Sequence, residues 1–247
     1  MNIKDIFLKV KKFICKFFDK NLFNINWTCS ICGEDVFDKG YFCEDCKKLL
    51  PKIGDNFCNH CGRPTKTKEV YCLTCKGILS SIDKGRSSFV YKSPISNLIK
   101  KLKYENARYL AEVFAYYLSE TYKISNFDAD LITFVPMTAK SKRQRGYNQS
   151  ELLARFTSKL LQIPVKNLVR KKKETIRQAK LDRSQRLKNL LGVYGVINKK
   201  SVCGKKIVII DDVTTTGSTA EAIAKVLKKA GATKVYLLTV ATVSIID

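Results

Sequence analysis

The residues able to do chemistry fall into two groups: adjacent carboxylates ahead of a hydroxyl-rich loop, and a repeated set of cysteines. Asp211 and Asp212 end the apolar run Ile207–Ile210, and Thr214, Thr215, Thr216, Gly217, Ser218 and Thr219 follow. An apolar run of this kind reads as a buried parallel strand. A glycine-containing loop of hydroxyls at its carboxyl end lets N–H and O–H groups converge on a phosphate, and a following helix adds its N-terminal dipole. The two carboxylates would repel a phosphate laid on them. They suit a neighbouring diol, accepting hydrogen bonds from its hydroxyls, or a Mg²⁺ ion held by those hydroxyls. The run therefore predicts a strand–loop–helix cradle for a sugar phosphate. A P-loop needs GxxxxGK[ST], which the chain does not contain. A phosphoryl-receiver domain also has an Asp-Asp strand end, but at its start, and too few residues follow Asp212 to complete that fold.

Eight of the ten cysteines form an internal repeat: Cys29, Cys32, Cys43 and Cys46 recur 29 positions later as Cys58, Cys61, Cys72 and Cys75. Each CxxC pair brings two thiolates to one side of a tight turn, and two pairs complete a tetrahedron around Zn²⁺. Gly33 and Gly62, after the second cysteine of each copy, suit those turns. Sequential pairing, four ligands per copy, predicts two zinc ions, and an interleaved pairing has the same spacing. Four thiolates leave no open coordination position, so the expected sites are structural. His60, the only histidine, lies inside a knuckle that already supplies two sulfurs and is read as a bystander. With no other histidine, Ser/His and Cys/His catalysis are excluded for this chain. Cys15 and Cys203 are read as packing residues.

The elements that must position these groups follow from periodicity. From about residue 86 strand and helix signals alternate, which predicts a parallel α/β domain. Strands are expected near Phe89–Tyr91, Leu131–Val135, Lys206–Asp212 and Val235–Val243. Helices are expected near 93–104, 107–123, 149–161 and Ser218–Ala230, with Asn148 as an N-cap and Gly231 as a C-terminal cap. Residues 3–18 repeat apolar side chains at helical spacing with lysines opposite, a basic amphipathic helix that docks on the protein's own core or lies on a membrane or DNA-loaded surface. The expected organisation is residues 1–26 as this helix, 27–80 as a double zinc ribbon and 86–247 as the α/β domain.

Charge adds a partner class. Lysine and arginine number 46 against 22 acidic residues, a formal net charge of +24. A field of this size attracts polyanions, nucleic acid before membrane. Lys140, Lys142, Arg143 and Arg145 form a basic loop after the second central strand, suited to gripping pyrophosphate or a nucleic-acid backbone. Fourteen basic residues lie between Lys166 and Lys206, opposed only by Glu174 and Asp182. That surplus suits a single-stranded nucleic-acid track, with Tyr147 or Tyr194 stacking on bases. No stretch reaches the roughly 20 apolar residues of a membrane span, and the N-terminus lacks the shape of a signal peptide. Cysteine-rich chains without an export signal point to a reducing compartment, so a cytoplasmic location is expected.

At Ile207–Thr219 the sequence resembles the phosphoribosyl-pyrophosphate (PRPP) motif of type I phosphoribosyltransferases. That resemblance implies that Asp211 and Asp212 hold ribose hydroxyls, that Thr215–Thr219 cradle the 5-phosphate, and that Mg²⁺ accompanies PRPP. Thr214 stands where a hydrophobic residue is common. The likeness extends over almost the whole chain to one subgroup, the ComF-like proteins of bacterial DNA uptake. It is carried by the paired cysteine module, by VPMTAKSKRQRGYNQSELLA (Val135–Ala154) and by RQAKLDRSQRLKNLLGVYGV (Arg177–Val196). Met137, Thr138 and Ala139 depart from the subgroup's apolar-Pro-Leu run at the loop where transferases bind pyrophosphate. The resemblance puts Lys140, Arg143, Arg145, Arg177 and Gln178 on the pyrophosphate or nucleic-acid side, the last two in the flexible loop over the active site. It implies a parallel-sheet, type I phosphoribosyltransferase-like domain after a small four-cysteine zinc-ribbon module. Single-stranded DNA is the implied partner, and a helicase-type competence protein a second one. Two functions follow from it: a PRPP-binding, DNA-handling protein without turnover, or an active transferase acting on an unidentified nitrogenous acceptor.

Overall fold

The computed structural model describes residues 28–36, 41–66, 71–73, 75–76, 80–172, 190 and 192–244. The expected basic N-terminal helix and the positions of Arg177 and Gln178 lie outside them. The chain divides into two compact units, residues 1–49 and 50–247. The first unit holds one cysteine cluster, a Thr28–Asp35 bridge, the buried ring of Phe42 and the short helix α1 (Glu44–Lys48).

The second unit is built on a four-stranded, all-parallel sheet. Its strands are β1 (Lys84–Val90), β2 (Leu131–Phe134), β5 (Lys206–Thr214) and β6 (Lys234–Thr242), in the order β1-β6-β5-β2. β5 and β6 are central, and their residues Ile207–Ile210 and Val235–Leu238 are almost fully buried. Parallel strands covered on both faces read as continuous apolar runs, which is why these two stand out in the sequence. Ile207, Ile209, Val235 and Leu237 pack with Ile223, Ala224 and Leu227 of helix α6 (Ser218–Lys229). Helices α3 (Leu110–Ile124) and α5 (Gln149–Leu161) pack on each other and on the sheet. Helix α2 (Ile95–Tyr104) turns Ile95, Leu98, Ile99 and Leu102 inward at helical spacing.

Three elements differ from expectation. The basic loop at 140–145 is a helix, α4 (Ala139–Arg145), begun by Thr138, whose Oγ1 accepts from the Ser141 amide at 3.2 Å. It carries no buried residue, so it has no apolar stripe to read. The basic segment after residue 166 contains a small antiparallel hairpin, β3 (Val169–Lys171) with β4 (Tyr194–Val196). β1 begins well before Phe89, because Ser87 is accommodated in the sheet by a 2.7 Å hydrogen bond to Thr239. The expected caps form: Asn148 Oδ1 accepts from the Ser150 amide at 3.1 Å, and Gly231 follows α6 with φ +98°. Among the described residues no helix is long and apolar enough to cross a membrane.

Candidate functional site

The cysteines resolve into sequential sets. Cys29, Cys32, Cys43 and Cys46 form one cluster and Cys58, Cys61, Cys72 and Cys75 the other, with the sulfurs in each within 4.8 Å of one another. Cys32 and Cys43 lie 3.7 Å apart, Cys61 and Cys72 3.8 Å apart. A tetrahedral Zn²⁺ with Zn–S of about 2.3 Å needs sulfurs about 3.8 Å apart, so both donor sets fit that ion. Packed thiols in the second cluster drive one another apart in titration. Hydrogen bonds with Cys61 and Cys75 push Cys58 down, and those with Cys58 and Cys75 push Cys61 up. A divalent cation relieves that conflict by stabilising all four as thiolates. His60 is buried with its ring edge toward Tyr71 and is not part of the sulfur set. Cys203, expected to pack, is exposed beside Gly231.

The second group of residues gathers at the carboxyl end of β5, where ligands of parallel sheets bind. β5 runs two residues past the aspartates, so Val213 and Thr214 belong to the strand, Thr214 in register with Thr242. The loop proper is Thr215–Gly217. Gly217 has φ +75° and its carbonyl accepts from the Glu221 amide, which starts α6. Thr216 Oγ1 lies 2.9 Å from Ser218 Oγ. A cleft of about 690 Å³ opens here, lined by Asp211, Val213 and every residue from Thr214 to Ala220.

Successive strand residues point to opposite faces, so the two carboxylates meet different partners. Asp211 accepts from Ser150 Oγ at 2.8 Å and from the Asp212 amide at 3.0 Å. Burial, and after it the charge of Asp212, raises the Asp211 pKa to about 7. Asp212 is 3% exposed and its Oδ1 is 2.7 Å from Lys103 Nζ. Burial works against the Lys103 charge, and the Asp212 carboxylate overcomes it and raises the lysine pKa. Asp212 Oδ2 is buried and takes no hydrogen bond among the described residues, an acceptor still open to a hydroxyl donor.

Of the basic residues singled out in the sequence, Arg145 lines the cleft; Lys140 and Arg143 are exposed and do not. α4 turns Ser141, Gln144 and Arg145 to the cleft, positions related by three and four residues. Lys142 pairs instead with Glu151 at 3.1 Å. Tyr147 and Tyr194, expected to stack on bases, are both buried. Tyr147 donates to the Leu102 carbonyl beneath Arg108, and Tyr194 hydrogen-bonds Thr219, burial pushing its pKa up to about 12. Tyr147 still lines the cleft, and the exposed aromatic there is Tyr104, 67% exposed, with the Arg145 guanidinium 5.3 Å from its ring centre. Lys103, Tyr104 and Ser150 were not singled out by sequence reasoning. The only signal was their place at the end or start of an amphipathic helix beside the motif segments.

Known proteins match the same two regions. The double zinc ribbon domain family matches residues 25–76, and the phosphoribosyl transferase domain family matches residues 148–245. The chain is 29% identical over 222 residues to Competence protein F of Haemophilus influenzae, covering 86% of this chain and 95% of that one. It is 28% identical over 217 residues to Competence protein ComFC of Streptococcus pneumoniae, covering 83% and 94%. DNA utilization protein YhgH of Escherichia coli is 31% identical over 153 residues, covering 60% of this chain and 66% of that one. Among solved structures, the glutamine PRPP amidotransferase of B. subtilis matches with TM-score 0.39 and 22% identity, over 53% of this chain and 26% of that enzyme.

Proposed function

Since the chain belongs to the ComF-like family, a phosphoribosyltransferase-type domain carrying a double zinc ribbon, we propose that its cleft holds the ribose 5-phosphate of PRPP and that its basic surface engages single-stranded DNA during DNA uptake. The observation that carries the first half is the meeting of two chemistries in one cleft. The Thr215–Thr219 loop above the α6 N-terminus supplies N–H and O–H donors for a phosphate. Asp211 lines the cleft and supplies an acceptor for ribose hydroxyls, and Asp212, buried and not among the lining residues, keeps an open Oδ2 as a second one. Lys103 offsets the carboxylate charge that would otherwise repel the ligand. Arg145 and Lys171 line the same cleft and suit the pyrophosphate.

Mg²⁺ bound with PRPP would neutralise pyrophosphate charge and polarise its departure. The carboxylates fit that arrangement through the ribose hydroxyls they accept from. The chain's own part is to hold the sugar by Asp211 and Asp212, fix the 5-phosphate on the loop and screen the charges between them. The DNA half rests on the +24 net charge and on the kind of protein its relatives are named as. A DNA-handling role of this kind belongs in the cytoplasm.

Calorimetric titration of PRPP with Mg²⁺ tests the cleft. Binding is expected, with loss in Asp211→Asn and Asp212→Asn; an unbound wild type overturns the reading. Pyrophosphate release from PRPP across a panel of bases separates binding alone from transfer to an acceptor. For DNA, oligonucleotide affinity is expected to fall with salt at a log–log slope steeper than about −2, at about 0.7 per neutralised phosphate. A flat slope, or no loss on neutralising Lys171, Lys172 and Lys173, overturns the DNA half.

A further inference from the structure

The two cysteine knuckles are built alike down to the backbone. The first cysteine's amide donates to the carbonyl five residues on, Cys29 to Glu34 at 2.6 Å and Cys58 to Arg63 at 2.7 Å. The glycine amide donates back, Gly33 to Cys29 at 2.8 Å and Gly62 to Cys58 at 2.9 Å. Equivalent bridges, Thr28–Asp35 and Phe57–Pro64, close both turns. The copies diverge at the residue whose carbonyl closes the knuckle. Glu34 is exposed, whereas Arg63 is 6% exposed and its Nη2 donates to the Thr215 carbonyl, 152 positions along the chain.

Peptide planarity gives that contact its consequence. In a trans peptide the C=O and the following N–H point to opposite sides. With the Thr215 carbonyl turned to Arg63, the Thr216 N–H is turned away from it. Arg63 does not line the cleft, while Thr215, Thr216 and Gly217 do. The arginine therefore grips the loop from behind and presents its amide to the front. A second grip lies further along the same segment. Ser80 Oγ and the Ser81 amide, the latter at 2.7 Å, donate to the two oxygens of Glu221 in the first turn of α6. Between the grips the chain carries Cys72 and Cys75, the closing pair of the second cluster.

We propose that Arg63 is a positioning residue for the phosphate loop and that the second cysteine cluster is the frame that holds it. Affinity for a phosphate on the loop then depends on Arg63 and on metal at Cys58, Cys61, Cys72 and Cys75. This rests on the reading of the cleft as a ribose 5-phosphate site.

Arg63→Met keeps the apolar stem and removes the donors. In calorimetric titration with ribose 5-phosphate its affinity is expected to fall about tenfold, the worth of a buried charged hydrogen bond. Arg63→Lys, which keeps one donor, should recover part of the loss, and zinc should stay at two ions per chain in both. Wild-type affinity in Arg63→Met overturns the proposal. If the wild-type protein itself does not bind, the cleft reading fails instead, and the free protein still decides the positioning role. The Thr216 and Gly217 amide resonances are expected to move in Arg63→Met; unmoved resonances overturn it. Should Arg63→Met fail to fold, Arg63→Lys and Ser80→Ala carry the same comparison. Thr216 and Gly217 resonances unchanged in both count against the proposal.

Discussion

The two copies of the cysteine repeat share spacing, knuckle and turn, and differ in what surrounds them. In the first, Cys32 is exposed and Cys43 half-exposed; in the second, all four sulfur-bearing residues are buried. The aromatic before the third cysteine is buried as Phe42 in the first copy and 48% exposed as Tyr71 in the second. A Cβ on Gly33 would meet nothing within 4 Å, whereas one on Gly62 would lie 2.5 Å from the Arg86 Cα. The second knuckle is joined to β1 by a Gly62–Arg86 bridge and by a 3.0 Å bond from the Gly85 amide to the Asn59 carbonyl. Arg86 lies 3.6 Å from the centre of the Phe57 ring. A repeated ligand pattern therefore says how a metal is held, and the residues between the ligands say what the metal holds in place.

Paired substitutions strain this contrast hardest. Cys58→Ser with Cys61→Ser should destabilise the larger unit by more than about 4 kcal/mol, because metal binding there is folding energy for the sheet edge. Cys29→Ser with Cys32→Ser should leave that unit's calorimetric transition within about 0.5 kcal/mol. Zinc release to a chelator should show a fast phase that disappears in the second double variant, since Cys32 is exposed. Equal losses in the two variants would dissolve the distinction.

A gentler contrast uses the glycines. Both have positive φ, +82° for Gly33 and +71° for Gly62, so alanine costs each about 1 kcal/mol in backbone strain. Gly62→Ala adds collision with β1 and should cost about 2–3 kcal/mol more by thermal melting. Similar costs at the two sites would mean that the weld to β1 is loose.

A pH-dependent effect concerns the floor of the loop that the second copy supports. Asp211 has its pKa raised to about 7 by burial and by Asp212. From about pH 4 to about pH 7 the folded chain keeps a proton that the unfolded chain has released, so this group's contribution falls as pH rises and levels off above that window. Asp211→Asn lacks the penalty, and its melting advantage over wild type should grow as pH rises across the window. An advantage independent of pH would mean that Asp211 titrates as an ordinary carboxylate.

Sequence made the centre of this molecule legible and its edges less so. β5 and β6 announced themselves because burial on both faces leaves only apolar residues in a row. The cysteine sets were legible because ligand spacing is a local property. α4 was not, because a helix with no buried side chain has no stripe. The hairpin β3–β4 was not, because three-residue strands leave no alternation to count. Tyr147 and Tyr194 show a deeper limit: whether an aromatic ring beside a basic run meets solvent or core is decided by packing from distant segments. Lys103, Arg63 and Glu221 were invisible for the same reason. Each acquires its partner from a remote part of the chain, 152 positions away for Arg63 and 141 for Glu221.

The strand order carries a consequence for how the chain is made. Among the described residues β1 has β6 as its only neighbour in the sheet, and β6 is the last of that sheet's strands in the sequence. A ribosome delivers β1 and the knuckle welded to it long before their pairing surface exists. Non-local pairings of this kind form late and leave early segments exposed meanwhile. The second cysteine cluster can take a fixed shape alone, by capturing an ion. On the nascent chain it would serve as a seed that keeps a strand edge in shape until its partner emerges.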